Sequence, residues 1–191
     1  MKRKGILVLC CLYAIQLIIS CCPDPGTYEV THIGMQGNAL MFTSQGYENI
    51  VGGTTINKED LAISGSFDTE RTKIASVFKK IKGFGFESAM ATTCPDDDLI
   101  FKTNVASIKI VVEDITNSQE VDISNDFMAT NFSGQFYTLE EYVQNQNEFD
   151  QTFTFRVSSV QNIPSRAIFK VSALLDSGAI LSFATNEINF N

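Results

Sequence analysis

Two kinds of side chain in this 191-residue sequence belong to the types that hydrolases use. His32 is the only histidine, and acidic residues cluster at 96–98 and 140–141. Histidine is the usual base of a hydrolytic triad, and paired carboxylates act as the acid and base of glycosidases. No G-x-S-x-G nucleophile motif accompanies His32, which lies in a predicted first strand. We therefore expect His32 to be a partly exposed strand residue without a catalytic role.

Neither acidic cluster has the arrangement that its chemistry requires. Glu140 and Glu141 are neighbours on a predicted short helix and do not face each other across a sugar. Asp96, Asp97 and Asp98 offer oxygen ligands for calcium but lack the Asp-x-Asp-x-Asp-Gly spacing of a calcium loop. A hydrated acidic turn is the preferred interpretation. A glycan-handling hydrolase that uses these acids is kept as an alternative function.

No motif indicates a bound metal or an organic cofactor. One histidine and the absence of a CxxC pair argue against a structural zinc site. The Gly83-Phe84-Gly85 segment lacks the third glycine and the following helix of a dinucleotide loop. We therefore predict no catalytic residue, no metal and no cofactor, and we expect a non-enzymatic protein.

Aromatic side chains leave a binding function open. Glycan-binding platforms use flat ring faces, and this chain has no Trp to supply them. Four tyrosines could substitute, namely Tyr28, Tyr47, Tyr137 and Tyr142. We interpret them first as residues at the edge of the core or on the ordinary surface.

The charge balance argues against nucleic-acid partners. The formal net charge is −8, and removal of Lys2, Arg3 and Lys4 with a signal segment leaves 11 basic against 22 acidic residues, or −11. Such an excess repels phosphate backbones. It also argues against adhesion to anionic lipid by charge alone.

The first twenty residues have the layout of an export signal. Basic residues 2–4 precede an apolar run of 15 residues, 5–19, whereas a membrane-spanning helix needs about 20. Ile18-Ile19-Ser20-Cys21 then resembles the bacterial lipobox. The resemblance implies cleavage before Cys21, a diacylglycerol on its thiol, and an acyl chain such as palmitate on its new amino group. Several acyl chains together anchor a protein stably.

Cysteine use depends on which residue carries the lipid. Cys22 offers a competing register, but Cys21 would then fill the small position, which is a poorer fit. With lipid on Cys21, an oxidising compartment favours a Cys22–Cys94 disulfide as a hypothesis. It would close a loop of about 70 residues, worth roughly 4 kcal/mol. A buried Cys94 thiol is the alternative.

Alternating apolar residues predict strands along most of the remaining chain. The clearest runs lie at 60–67, 107–113 and 152–158, and residues 169–175 and 180–190 read as a hairpin around Asp176-Ser177-Gly178. Weaker strand candidates lie at 28–33, 39–43 and 84–91. Thr138-Leu139-Glu140-Glu141 fits a capping box that begins a short helix. Residues 72–82 are ambiguous, and we interpret them as a basic helical turn or an irregular connection.

These elements predict an all-β protein. About seven or eight short strands with one short helix indicate an immunoglobulin-like β-sandwich. The division we predict is a lipoprotein signal peptide at 1–20, a tether at 21–27 and a β-sandwich domain at 28–191.

A second resemblance covers most of this domain. The lipobox, the segment 91–95 around Cys94, the strand 105–110 and the segment 122–127 are together similar to short uncharacterised Bacteroides-type lipoproteins. That group carries no assigned activity. The resemblance implies an exported outer-membrane lipoprotein, periplasmic or surface-facing.

Three functions remain open at this point. The first is a non-enzymatic, lipid-anchored binding or assembly module for a protein or glycan. The second is the glycan-handling hydrolase, and the third is a structural envelope protein without a small ligand. Attachment to the membrane would come only from the N-terminal lipid.

Overall fold

The computed structural model describes residues 26–50, 54–76, 97–130, 135–145 and 151–191. The predictions for the signal region, for the cysteines at 21, 22 and 94, and for the glycine pair at 83 and 85 lie outside these residues. The chain divides into two compact units. The described part of unit 1 is 26–30, 71–76 and 97–101, and unit 2 contains 31–70 and 102–191. The single domain at 28–191 stays a prediction.

The described residues form thirteen strands and one short α-helix. The strands are β1 (Gly26–Thr43), β2 (Gly46–Asn49), β3 (Thr55–Ile56), β4 (Leu61–Ser76), β5 (Asp98–Phe101), β6 (Val105–Asp114), β7 (Gln119–Asp122), β8 (Phe127–Thr130), β9 (Phe136–Thr138), β10 (Thr152–Val157), β11 (Arg166–Leu175), β12 (Ile180–Ala184) and β13 (Ile188–Phe190). The helix is α1 (Leu139–Gln144), and two 3-10 turns span Lys58–Asp60 and Ser124–Asp126.

The strands build two sheets. One has seven strands in the order β2-β1-β4-β10-β8-β9, and β5 pairs in parallel with the first residues of β1, inside unit 1. The other has six strands in the order β3-β13-β11-β6-β7, with β12 also on β11. The longest pairing is antiparallel, between β6 and β11.

In unit 2 the two sheets enclose a core rich in phenylalanine. Phe127 and Phe169 belong to different sheets and meet edge to face, with ring centroids 6.2 Å apart. Phe153 and Phe183 also bridge the sheets, with centroids 6.3 Å apart. Each fully buried side chain of this size contributes about 1.5–3 kcal/mol. The predicted all-β sandwich with one short helix is thereby confirmed.

The clearest predicted strands are confirmed, because their alternating residues do face the core. Phe169, Val171, Ala173 and Leu175 of β11 are all buried. The hairpin between β11 and β12 also forms, and Gly178 takes the positive φ of 84° that its turn requires.

The return strand of that hairpin is interrupted, however. Residues 180–190 were predicted as one run, but they form β12 and β13. The interruption falls at buried Thr185, whose N–H donates to the carbonyl of Phe169 while its Oγ1 accepts from the Phe169 N–H at 3.0 Å. β13 then pairs in parallel with β3.

Two further predictions need correction. Thr72–Ser76 were expected in a helical turn or irregular connection, but they continue β4. The β-branched residues Thr72 and Ile74 favour this extended conformation over the helix that the apolar spacing indicated. The strand number was also too low, because segments of two to four residues such as β3 and β7 are too short to show an alternating pattern.

Candidate functional site

His32 anchors β1 to the segment between β5 and β6. Its backbone N–H donates to Thr103 Oγ1 at 3.0 Å, and its Nδ1 lies 2.9 Å from the Thr103 carbonyl and 3.1 Å from Thr103 Oγ1. Its ring also meets Phe67 edge to face, with centroids 5.2 Å apart. The expectation of a partly exposed residue was wrong, because the side chain is only 6% exposed.

The contact between His32 and Thr103 does not activate the threonine hydroxyl. A carbonyl oxygen only accepts hydrogen bonds, so Nδ1 carries the proton and cannot take one from Thr103 Oγ1. Burial lowers the pKa of His32 below its ordinary value of 6.5, although the hydrogen bond to Thr103 and the charge of Asp176 oppose this. The ring is therefore held neutral in a structural role.

Glu140 and Glu141 stabilise the helix that they begin. Thr138 is the N-cap of α1, and its backbone N–H donates to the Glu141 carboxylate at 2.9 Å. The Glu141 N–H donates back to Thr138 Oγ1 at 3.1 Å, so the predicted capping box is confirmed. Glu140 accepts a hydrogen bond from Gln144 at 3.3 Å. Both carboxylates thus serve local structure.

The described part of the acidic turn holds a chain segment in unit 1. Asp97 accepts a hydrogen bond from the Gly26 N–H at 3.0 Å. Asp98, the first residue of β5, pairs with Thr27 of β1. Asp96 lies outside the described residues. Across the described ranges, no three His, Cys, Asp or Glu side chains are placed to hold a metal ion.

The four candidate tyrosines do not form one platform. Tyr47 and Tyr137 lie on β2 and β9, which are the opposite ends of the seven-stranded order. Tyr28 belongs to unit 1, where Lys73 Nζ lies 5.8 Å from its ring. Tyr142 packs edge to face on Phe155 at 5.8 Å, as part of the core boundary.

A different aromatic arrangement crosses the outer face of the seven-stranded sheet. We call it the Arg156 row, and its members are Tyr47, Phe42, Arg156 and Phe136. The guanidinium carbon of Arg156 lies 3.9 Å from the ring centroid of Phe42 and 6.0 Å from that of Phe136. Phe42 in turn contacts Tyr47, with ring centroids 5.3 Å apart. A row of one cation and three rings results.

The pairing of the strands explains how these distant residues meet. Arg156 stands opposite Ala62 on β4 and opposite Met128 on β8. Because Ala62 is small, the long arginine side chain reaches across β4 to the Phe42 ring on β1. Ala62 is fully buried although it faces away from the core. The side chains of the row therefore shield the strand beneath them, at Ala62, from solvent.

The ends of the row are open to solvent. Phe136 is 52% exposed and Tyr47 is 42% exposed. Among the described residues, no carboxylate lies within ion-pair distance of Arg156, and its guanidinium lies over the two rings. Cation–π contacts at exposed sites contribute about 0.5–1 kcal/mol each. The five N–H donors of the guanidinium consequently have no acidic partner in this part of the chain.

The outer face of the six-stranded sheet is built differently. Lys170 Nζ lies 2.7 Å from Glu113 and 2.5 Å from Glu120, and Lys109 Nζ lies 3.2 Å from Asp122. The hydrogen bonds to Glu113 and Glu120 raise the pKa of Lys170 to about 12. These lysines are therefore paired with carboxylates of neighbouring strands, unlike Arg156.

A cleft of about 350 Å³ is lined by residues 37–39 of β1, residues 49–50 and residues of the segment 184–188. Its polar lining includes Asn38, Asn49 and Asn186. Asn38 and Asn49 are hydrogen-bonded to each other at 2.5 Å. Glu187, also in the lining, accepts two N–H donors from Arg166 at 2.9 and 2.6 Å. Much of its polar capacity is thus used within the protein.

Comparison with known proteins adds little to this description. No family model matches the chain, and no characterised protein matches it by sequence. A solved structure of BcpA, the major pilin subunit of Bacillus cereus, aligns with 86% of this chain and 68% of its own, at 8% identity and a TM-score of 0.17. A likeness this weak supports no statement about function. Within the described residues, no helix is both long and apolar enough to cross a bilayer.

Proposed function

We propose that this chain is a lipid-anchored envelope protein that acts as a non-enzymatic binding module, with the Arg156 row as its ligand-contacting surface. The observation that carries the proposal is an arginine that has no carboxylate partner among the described residues and lies between the half-buried ring of Phe42 and the exposed ring of Phe136. Sequence reasoning named Tyr47 as a candidate but missed the other three members of the row.

The composition of the row supports binding over simple surface exposure. Single exposed apolar residues are ordinary on any protein. Aromatic residues and arginine grouped on one face are instead the types enriched at interfaces, where they provide most of the binding energy. Phe136 and Tyr47 are both large rings with over two fifths of their surface in solvent.

The lipobox supports the anchor. Diacylglycerol and a further acyl chain on Cys21 would add about 0.8 kcal/mol per buried methylene, which is ample for stable attachment. Metabolic labelling with palmitate tests this step. The full-length chain and the C22S variant should take up the label, and the C21S variant should not. Equal labelling of C21S and C22S would contradict Cys21 as the lipid-bearing residue.

Site-specific photo-cross-linking in cells tests the binding surface. A photoreactive phenylalanine analogue in place of Phe136 keeps an aromatic ring in the row and should capture a ligand. The matched control carries the same analogue in place of Lys109, which is exposed on the outer face of the other sheet. Equal capture from both positions, or none from position 136, would refute the proposed surface. The second outcome would favour a structural envelope protein.

The glycan-handling hydrolase gains no support from the geometry of its candidate acids. Glu141 is held by the N-cap of α1, and Asp97 holds the Gly26 N–H. Neither arrangement presents two carboxylates across a substrate.

A further inference from the structure

We infer that the ligand of the Arg156 row is a carboxylated glycan, whose acid group pairs with Arg156 and whose sugar rings lie against Phe136 and Tyr47. The inference rests on the proposed function of this surface and names the chemistry of its ligand. It depends on three properties of the row: its charge, its hydroxyl-bearing surroundings and its length.

The charge of the row selects an anion. Arginine pairs with carboxylates through two parallel N–H donors, a geometry that lysine cannot provide. Arg166 and Lys170 already have such partners within the protein, whereas Arg156 has none among the described residues. The chain as a whole is acidic, with a net charge of −8. An anionic ligand therefore needs this local cation to approach the face.

The surroundings of the row favour a polyhydroxylated ligand over a protein. The outer face next to Arg156 carries hydroxyl side chains, including Ser64, Thr130 and Thr154. Thr154 Oγ1 lies 3.4 Å from Ser64 Oγ, and Thr130 Oγ1 lies 3.5 Å from the Thr154 carbonyl. The centre of a protein–protein interface is more apolar than this and centred on filled pockets. Ring faces beside hydroxyl groups instead match the two surfaces of a sugar.

The length of the row favours a polymer over a small anion. Its ends lie on β2 and β9, five inter-strand steps apart in the sheet order. At about 4.8 Å per step the row extends over about 24 Å, which is enough for several sugar units. A single inorganic anion would contact Arg156 alone and leave both exposed rings unused.

Binding of carboxylated polymers to the purified full-length chain in detergent tests the inference. The probes are polygalacturonate, hyaluronan and polysialic acid, each compared with its methyl-esterified form, which keeps the sugar backbone and removes the charge. At least one probe should bind, and esterification should weaken it tenfold or more. Polyglutamate serves as a carboxylated peptide without sugar rings.

Variants separate the charge from the rings. R156Q should weaken binding of the acidic polymer at least tenfold, which is 1.4 kcal/mol. R156K should restore only part of the lost affinity, because lysine cannot bind a carboxylate bidentately. F136A should weaken binding of the acidic and of the esterified polymer by the same factor. K109Q, on the other sheet, removes one positive charge and should leave binding unchanged.

The outcomes distinguish this inference from the proposed function. Failure of all three polymers, unchanged binding by R156Q, or polyglutamate binding as tightly as the best polymer would each overturn the glycan assignment. The proposed function would survive those results if the analogue at position 136 still captured a partner in cells. If it captured nothing, both would fail.

Discussion

The surroundings of Gly37 on β1 leave no space for a side chain. Replacing Gly37 with alanine should therefore destabilise the protein. A Cβ atom at this position would lie 2.4 Å from the Phe183 ring and 2.5 Å from the backbone carbonyl of Ser64 on β4. Both distances are about 1 Å shorter than ordinary contacts. The ring can rotate away, but the carbonyl belongs to the neighbouring strand and can move only with the sheet.

The magnitude follows from two opposing effects. Overpacking of this kind costs about 1–3 kcal/mol, and the backbone contact places Gly37→Ala in the upper half of that range. Replacing glycine also reduces the conformational freedom of the unfolded chain, which stabilises the folded protein by about 0.4–1 kcal/mol. We expect a net loss of about 1–2.6 kcal/mol, which for a chain of this size lowers Tm by roughly 2–10 °C.

Gly34 on the same strand is the matched control. A Cβ atom there would meet the end of the Asp68 side chain at 3.0 Å, and that carboxylate can turn toward solvent. Urea and thermal unfolding of the full-length chain should show Gly34→Ala within about 0.5 kcal/mol of the native chain, as for an ordinary surface change. Equal stability of the two variants would refute the close approach of β1 to Ser64 and Phe183.

Three other perturbations probe single interactions. Because burial lowers the pKa of His32 below 6.5, the unfolded state binds the proton first as pH falls. The unfolding free energy of the native chain should therefore drop as pH falls from above 6.5 toward the lower pKa of the folded state. Urea titrations at several pH values should show a smaller drop for H32Q. Equal dependence of the unfolding free energy on pH in both proteins would refute the lowered pKa of His32. T138A should cost about 0.5–2 kcal/mol through loss of the capping box, measured by chemical unfolding against T152A, an exposed position at the start of β10. K170M should leave the urea unfolding midpoint nearly unchanged, because the ion pairs of Lys170 are exposed and screened by solvent. A loss of stability that grows at high salt would contradict this.

The strand faces could be predicted from the sequence because burial of one sheet face imposes a period of two. Phe153 and Phe155 alternate with Thr152 and Thr154, and the phenylalanines are the residues that face the core. The capping box was predictable for a similar reason, since its partners are three residues apart and need no information about the rest of the fold.

The Arg156 row could not be predicted, since it depends on which strands are neighbours. Alternation shows that Phe42 and Arg156 face outward, but it does not show that only one strand lies between β1 and β10. The environment of His32 was missed for the same reason. Its partner Thr103 is distant in sequence and comes close only through the path of the chain between β5 and β6.

The excess of acid in this chain makes it meaningful that Arg156 has no carboxylate partner among the residues that the structure describes. With 22 acidic and 14 basic residues, carboxylates are available to pair with every cation. The six-stranded sheet makes such pairs across its strands, at Lys109 and Lys170. The positions opposite Arg156 carry Ala62 and Met128 instead, although a carboxylate in place of Met128 would add a favourable cross-strand pair. The cation–π contacts with Phe42 and Phe136 contribute to stability by a similar amount. A ligand that brings its own carboxylate would in addition engage the guanidinium N–H donors, which have no acidic partner among the described residues.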